Sequence, residues 1–311
     1  MSYKALAAVL AFLFALAVGT AQASLTVQDI VDQVDQTTYT NYLDNMLYTH
    51  NGDDRGFGPE HDLARTNVFS QFTALGLDTS LYGFDYSGTT YYDVVGVHTG
   101  TTRPGDIYIV GAHYDSVSNP GADDNASGTA GVMEAARVLS GYDFEATLIF
   151  IAFDREENGL VGSNAYATGH SGDNILGMIS LDMIAYNYLG GNAADIYGYA
   201  ASDPIKNALA NAMAAYTGIS TTINGSFDAS DHAPFEWQGF DACLLIEEWG
   251  NPYYHQQLDS VDTPNYIDYA FATDMVRGTV GYLATAAVLV PEPGAVVVVV
   301  LGGIALLRRR F

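Results

Sequence analysis

Three stretches of this chain are almost wholly apolar and then stop on residues that bind metals. IYIVGAH ends at His113, TLIFIAFDREE reaches Glu156 and Glu157, and ILGMISLD ends at Asp182. Apolar runs of this length bounded by turn residues read as buried strands. The expected order is a tyrosine-rich strand pair over 81–97 and strands near 107–112, 146–152, 176–181 and 242–247. Helices are expected near 60–75, 126–139, 203–217 and 266–288, with another opening after the glycine that follows Glu156 and Glu157. Such alternation predicts an α/β fold, a three-layer α/β/α sandwich around a mixed, mostly parallel central sheet. Open sheets of this kind place their sites in the crevice beyond the carboxyl ends of the strands, so the polar residues that end the three runs would meet there.

Residues 111–128, GAHYDSVSNPGADDNASG, hold the densest set. On an extended chain His113 and Asp115 project to the same side, so one can bind a metal while the other orients it. Asp123 and Asp124 follow the Pro120-Gly121 turn and precede a helix, where capping is the ordinary role of an aspartate. Adjacent Glu156 and Glu157 point differently, which lets one bind a metal while its neighbour serves as a general base. Asp182 lies among Leu181, Met183 and Ile184, and a buried ionised carboxylate is costly unless paired or metal-bound. His255 stands in a polar loop, YYHQQLDSVDT, together with Asp259. Imidazole and carboxylate donors suit zinc.

Taken in order, GAHYDSV, PGADDNASG, DREENGLVGS, LDMIAYN, SDHAPF and YHQQLDS resemble the co-catalytic di-zinc aminopeptidases. These are secreted bacterial leucyl-type enzymes, to which glutaminyl cyclases and glutamate carboxypeptidases are related. The likeness extends over 34–289. It implies two zinc ions per chain, with Asp124 bridging them, Glu157 and His255 completing one site, and His113 and Asp182 completing the other. It implies Glu156 as general base, a catalytic role for Asp115 behind His113, and Tyr254 as the group that stabilises the oxyanion. Asp231 and His232 would support the metal shell, and a cis peptide would follow Asp124. Asp124 is chosen over Asp123 because the family's bridging aspartate stands three residues before a Ser-Gly pair, here Ser127-Gly128. Asp123 is then a turn or capping residue.

The implied activity is hydrolysis of the N-terminal bond of peptides. Two cations about 3.5 to 4 Å apart acidify a shared water and polarise the scissile carbonyl. Glu156, unligated, would take the proton from that water and pass it to the leaving amine. Alternatives on the same fold are a glutaminyl cyclase or a carboxypeptidase, and a non-catalytic envelope or matrix protein is the alternative from another class. Two departures from the family pattern stand out. Its final motif commonly ends Asp-Thr, whereas Asp259 is followed here by Ser260. The disulfide of some secreted relatives has no counterpart, because Cys243 is the single cysteine and reads as a small buried strand residue.

The ends carry processing signals. Lys4, the apolar run 5–18 and Ala21-Gln22-Ala23 form a secretory signal over 1–23. Residues 291–311 begin Pro-Glu-Pro, continue as AVVVVVLGGIALL and finish Arg308-Arg309-Arg310, which resembles the PEP-CTERM sorting signal read by an exosortase-type processing enzyme. That apolar segment is short against the roughly 20 residues that span a bilayer. A peptidase domain at 24–290 is expected between the signals, exported through the inner membrane to the periplasm, cell surface or extracellular matrix. The formal charge of −25 leaves no basic surface for phosphates, so nucleic acid is not an expected partner. Most of the 22 tyrosines read as amphipathic strand and rim residues.

Overall fold

Every residue of Ala146–Phe153 and of Ala242–Glu247 is buried, as expected of strands that are apolar on both faces and covered on both sides. They belong to one eight-stranded sheet in a computed structural model that describes residues 25–48 and 54–290. In chain order the strands are β1 (Asp78–Tyr86), β2 (Thr89–His98), β3 (Arg103–His113), β4 (Ala146–Phe153), β5 (Asn174–Leu181), β6 (Ala193–Tyr197), β7 (Ser220–Ile223) and β8 (Ala242–Glu247). Their spatial order is β1-β2-β4-β3-β5-β8-β6-β7. The central strands β4, β3, β5 and β8 are mutually parallel. β2 adds antiparallel to β4, and β6 adds antiparallel to β8. The three runs that end in metal-type residues are therefore neighbours, and their carboxyl ends open on one side.

The helices are α1 (Val27–Val31), α2 (Gln36–Asn41), α3 (Pro59–Ala74), α4 (Gly128–Leu139), α5 (Val161–Gly169), α6 (Asp203–Tyr216), α7 (Ala233–Trp237) and α8 (Tyr269–Ala286). α8 packs with α4 and α6 on one face of the sheet, while α5 pairs with α7 on the other. The expected three-layer sandwich with a mixed sheet is what the chain forms. One expectation needs widening: the short strands β6 and β7 and the helices α1, α2 and α7 have no counterpart in the predicted order. The last helix is also shorter than predicted, because the Asp268 carboxylate caps it by accepting the Phe271 N–H at 3.0 Å.

Residues Val27–Val290 form one compact unit. The expected secretory signal and the Pro-Glu-Pro tail lie outside the described residues. Among the described residues no helix is long and apolar enough to cross a membrane.

The start of α4 is pressed onto the end of β5. A methyl group at Gly128 would fall inside van der Waals contact of the Leu181 carbonyl and the Asn125 side chain. Gly128→Ala is thus expected to destabilise the fold by about 1–3 kcal/mol through overpacking, read as a lower denaturant midpoint at unchanged m-value. An unchanged midpoint would show that this contact is slack.

Candidate metal centre

His113 is the last residue of β3, and its main-chain carbonyl accepts the Thr129 hydroxyl of α4 at 2.7 Å, which fixes the strand end against the helix. Between them the chain makes a tight turn, 122–127, with a cis peptide bond at Asp124-Asn125, in agreement with the resemblance. Asn125 ties this turn to the end of β5: its Nδ2 donates to the Leu181 carbonyl at 2.9 Å and its Oδ1 accepts the Gly128 N–H at 2.9 Å. The loop after β4 brings Glu156 and Glu157, and β5 delivers Asp182 directly. Only His255 comes from a distant loop, after β8. It has a left-handed backbone, φ 54°, and its side chain is 41% exposed.

All five expected ligands converge. His113 Nε2 lies 3.3 Å from Asp124 Oδ1 and 3.6 Å from Asp182 Oδ1. His255 Nε2 lies 3.2 Å from Asp124 Oδ2 and 3.3 Å from Glu157 Oε2. The two oxygens of Asp124 thus face different histidines, each of which has a second carboxylate beside it. Donors sharing a tetrahedral zinc at about 2.0–2.1 Å are roughly 3.3 Å apart. Glu156 is also close, its Oε2 3.8 Å from His113 Nε2, and it could serve with His113 and Asp182 as a ligand group.

The electrostatics call for cations. Glu157 Oε1 is buried with no hydrogen-bond partner. Burial, reinforced by Asp124 and Asp115 and opposed by the histidines, pushes the Glu157 carboxyl up to about 8. Burial likewise drives Glu156 well above the usual carboxylate range against the pull of His113, and Asp231, Asp182 and Asp115 add to the shift. For Asp124 burial acts upward, but the two histidines outweigh it and hold the group below its ordinary value. Around His113 burial acts downward and is overcome by Glu156, Asp115, Asp124 and Asp182, so its imidazole is raised well above normal. Carboxylates this crowded around two imidazoles repel one another unless divalent ions offset them. The donor set fits zinc.

Asp115 is buried and reaches His113 Nδ1 through its main-chain oxygen at 3.1 Å, with its carboxylate at 3.5 Å. The carboxylate also accepts the N–H groups of Glu156 at 3.2 Å and Glu157 at 3.4 Å, so Asp115 steadies three site residues at once. Of the two roles expected for Asp123 the structure gives the turn and not the cap: it lies in 122–127, and its Oδ1 accepts the Ala185 N–H and its Oδ2 the Asn251 amide, both at 2.9 Å. Tyr254 stacks on His255 with ring centroids 3.9 Å apart at the mouth of the site. Of the SDHAPF motif, Asp231 and His232 are buried, yet the residue bonded to a ligand is the preceding Ser230, whose hydroxyl donates to Asp182 Oδ2 at 2.7 Å. Burial lifts Asp231 to about 7 and lowers His232 to about 3, which keeps that imidazole neutral.

Sequence reasoning missed Ser230, and it noted Asp259 without a function. The Asp259 carboxylate accepts the N–H groups of Asp123 at 2.7 Å and Asp124 at 3.1 Å. It also missed Arg55, a fully buried arginine that donates to the carbonyls of Tyr114, Pro120 and Gly121 at 2.9, 2.6 and 2.7 Å. The available signal was scarcity: with 11 lysines and arginines in 311 residues, an arginine amid acidic and glycine residues stands out. Beside the ligands the cavity has an apolar wall that includes Met183, Phe227, Ile246 and Trp249. Phe227 packs on Trp249, and Trp249 meets Tyr254 edge-on.

A family model described as Peptidase family M28 matches residues 93–280, more than half of the chain. Aminopeptidase YwaD of Bacillus subtilis is 31% identical over 212 residues, covering 63% of this chain and 45% of its own length. The chain spans about half the length of the curated relatives it matches. Among solved structures, an aminopeptidase from Aneurinibacillus sp. strain AM-1 superposes with a TM-score of 0.74 at 18% identity, over 86% of this chain and 97% of that one. Glutaminyl cyclase from Porphyromonas gingivalis has a TM-score of 0.67 at 18% identity, over 81% and 98%. At these identities both likenesses speak for the fold.

Proposed function

The chain belongs to peptidase family M28, and on that premise we propose that it is a zinc-dependent aminopeptidase that removes N-terminal residues from peptides. The observation that carries this reading is the division of Asp124 between two histidines, one also beside Asp182 and the other beside Glu157. His113, Asp182 and one oxygen of Asp124 would hold one zinc, and His255, Glu157 and the other oxygen a second. Bound zinc supplies a Lewis acid for the scissile carbonyl and makes water a stronger acid at neutral pH.

Glu156 is left over from that ligand set and acts as the general base. Its carboxylate takes a proton from the attacking water and returns it to the leaving amine. Asp115 holds His113 and the amides of both glutamates. Tyr254, at the rim on His255, would donate a hydrogen bond from its hydroxyl to the carbonyl oxygen as it becomes negative. The wall of Met183, Phe227, Ile246 and Trp249 favours an apolar side chain on the residue being released. The location belongs to the same proposal: export through 1–23 and exosortase-type sorting through 291–311 would bring the enzyme to peptides outside the inner membrane.

A panel of free, N-blocked and C-blocked peptides, assayed with and without chelator on protein of measured zinc content, tests the reading. The expected result is release of apolar N-terminal residues from free and C-blocked peptides but not from N-blocked ones, lost with chelator, at about two zinc ions per chain. Cleavage of N-blocked peptides would instead identify a carboxypeptidase. Ring closure of N-terminal glutamine would identify a cyclase. Inactivity of fully loaded protein against every peptide would leave a binding role.

A further inference from the structure

Arg155 stands between β4 and the paired glutamates in left-handed backbone, φ 62°, a conformation that residues with side chains seldom adopt. It is fully buried and its contacts run away from the metal centre. Its main-chain N–H and its Nε both donate to Asp154 Oδ1, at 2.9 and 3.1 Å, and Nη1 donates to Asn158 Oδ1 at 3.2 Å. Nη2 donates to the Gly56 carbonyl. The guanidinium also lies over the rings of Tyr91 and Phe57, 4.2 and 4.3 Å from their centroids. Asp154 is itself fixed, by His61 at 2.8 Å and the Tyr114 hydroxyl at 2.7 Å.

Residues 55–57 thereby touch both loops of the centre. Arg155 grips Gly56 and Phe57 from the loop that carries Glu156 and Glu157. Arg55 grips Tyr114, Pro120 and Gly121 in the loop that carries Asp115 and leads to Asp124, and its own N–H donates to Ser116 Oγ at 2.7 Å. The two loops also bond each other directly, closely from the Tyr114 hydroxyl to Asp154 at 2.7 Å, but only by long bonds where the glutamates themselves sit, from the Glu156 and Glu157 amides to Asp115 at 3.2 and 3.4 Å.

We propose that Arg155 is a positioning residue: clamped by the 55–57 brace and Tyr91, it holds the loop after β4 in the left-handed turn that aims Glu156 and Glu157 at the centre. The catalytic part of this claim rests on the aminopeptidase reading, whereas the ordering of the loop does not. A planar guanidinium suits the task because its flat face stacks on rings while its edge donates in fixed directions; an ammonium donates too but has no flat face.

The test compares Arg155→Gly, Arg155→Lys and Phe57→Ala in the zinc-loaded chain, reading kcat, KM and hydrogen exchange of the 154–160 amides. Glycine accepts the left-handed turn without strain and removes only the clamp. Arg155→Gly is expected to lower kcat by about tenfold or more with KM little changed, and to speed exchange across 154–160 by a similar factor. Arg155→Lys should recover only part of either effect. Phe57 is 60% exposed, so Phe57→Ala should fold even if the arginine variants do not, and it should shift both readouts in the same direction by a smaller factor. Wild-type exchange and kcat in Arg155→Gly, or in Phe57→Ala where the arginine variants fail to fold, would overturn the proposal. Faster exchange in a protein without peptidase activity would uphold the clamp and sink the aminopeptidase reading instead.

Discussion

Glu156→Gln is expected to lower kcat by about 10²–10⁴-fold, the usual contribution of a positioned general base, while zinc content and KM stay close to wild type. Glutamine fills the same space and leaves the main-chain bond to Asp115 intact, but its amide cannot accept the water's proton. The effect should fall on kcat because proton transfer belongs to the transition state, not to substrate binding. Metal analysis beside steady-state kinetics with an aminoacyl-nitroanilide checks it. Loss of one zinc together with the activity would assign Glu156 to the ligands, a role that its distance of 3.8 Å from His113 also permits. An unchanged kcat would remove Glu156 from the mechanism altogether.

Asp124→Ala has the second large expected effect. Among the described residues this carboxylate has one oxygen 3.3 Å from His113 and the other 3.2 Å from His255, so its loss should empty both zinc positions together and bring activity to background. Stability offers a separate readout. A ligand at a thousand times its Kd stabilises a protein by about 4 kcal/mol, which is on the order of 10 °C in melting temperature for a domain of this size. Wild-type protein should show a gap of that order between zinc-loaded and chelated samples, and Asp124→Ala should show almost none. If the variant kept one tightly bound zinc and half of the gap, the two positions would be independent and the bridging role would be wrong.

The parts of this molecule that could be read from the sequence are those whose physics is local. β4 and β8 were visible because an unbroken apolar run has one comfortable place, the middle of a covered sheet. His113, Glu157 and Asp182 were visible because a carboxylate or imidazole at the end of such a run has nowhere to go but the strand-end crevice, whereas the choice of Asp124 over Asp123 came from the resemblance and His255 gained weight only beside the others. Their allotment between two positions came from the resemblance, not from spacing. β6 and β7 escaped because they lie toward the sheet margin, β7 is largely exposed, and neither needs a sustained hydrophobic pattern. Ser230, Arg55 and Arg155 escaped for another reason. Serine and arginine are common surface residues, and what makes these three matter is a partner far away in the chain.

The wide spacing of the ligands along the chain also sets a timetable. His113, Asp124, Glu157 and Asp182 are made early, but His255 follows β8, so a growing chain that stops before that loop holds four ligands and cannot close the second position. If these five residues are the ligands, zinc capture in full must then wait until all eight strands have been made. On the proposed reading, a half-made chain cannot hydrolyse its neighbours, and a filled metal centre reports that every strand beneath it has been made.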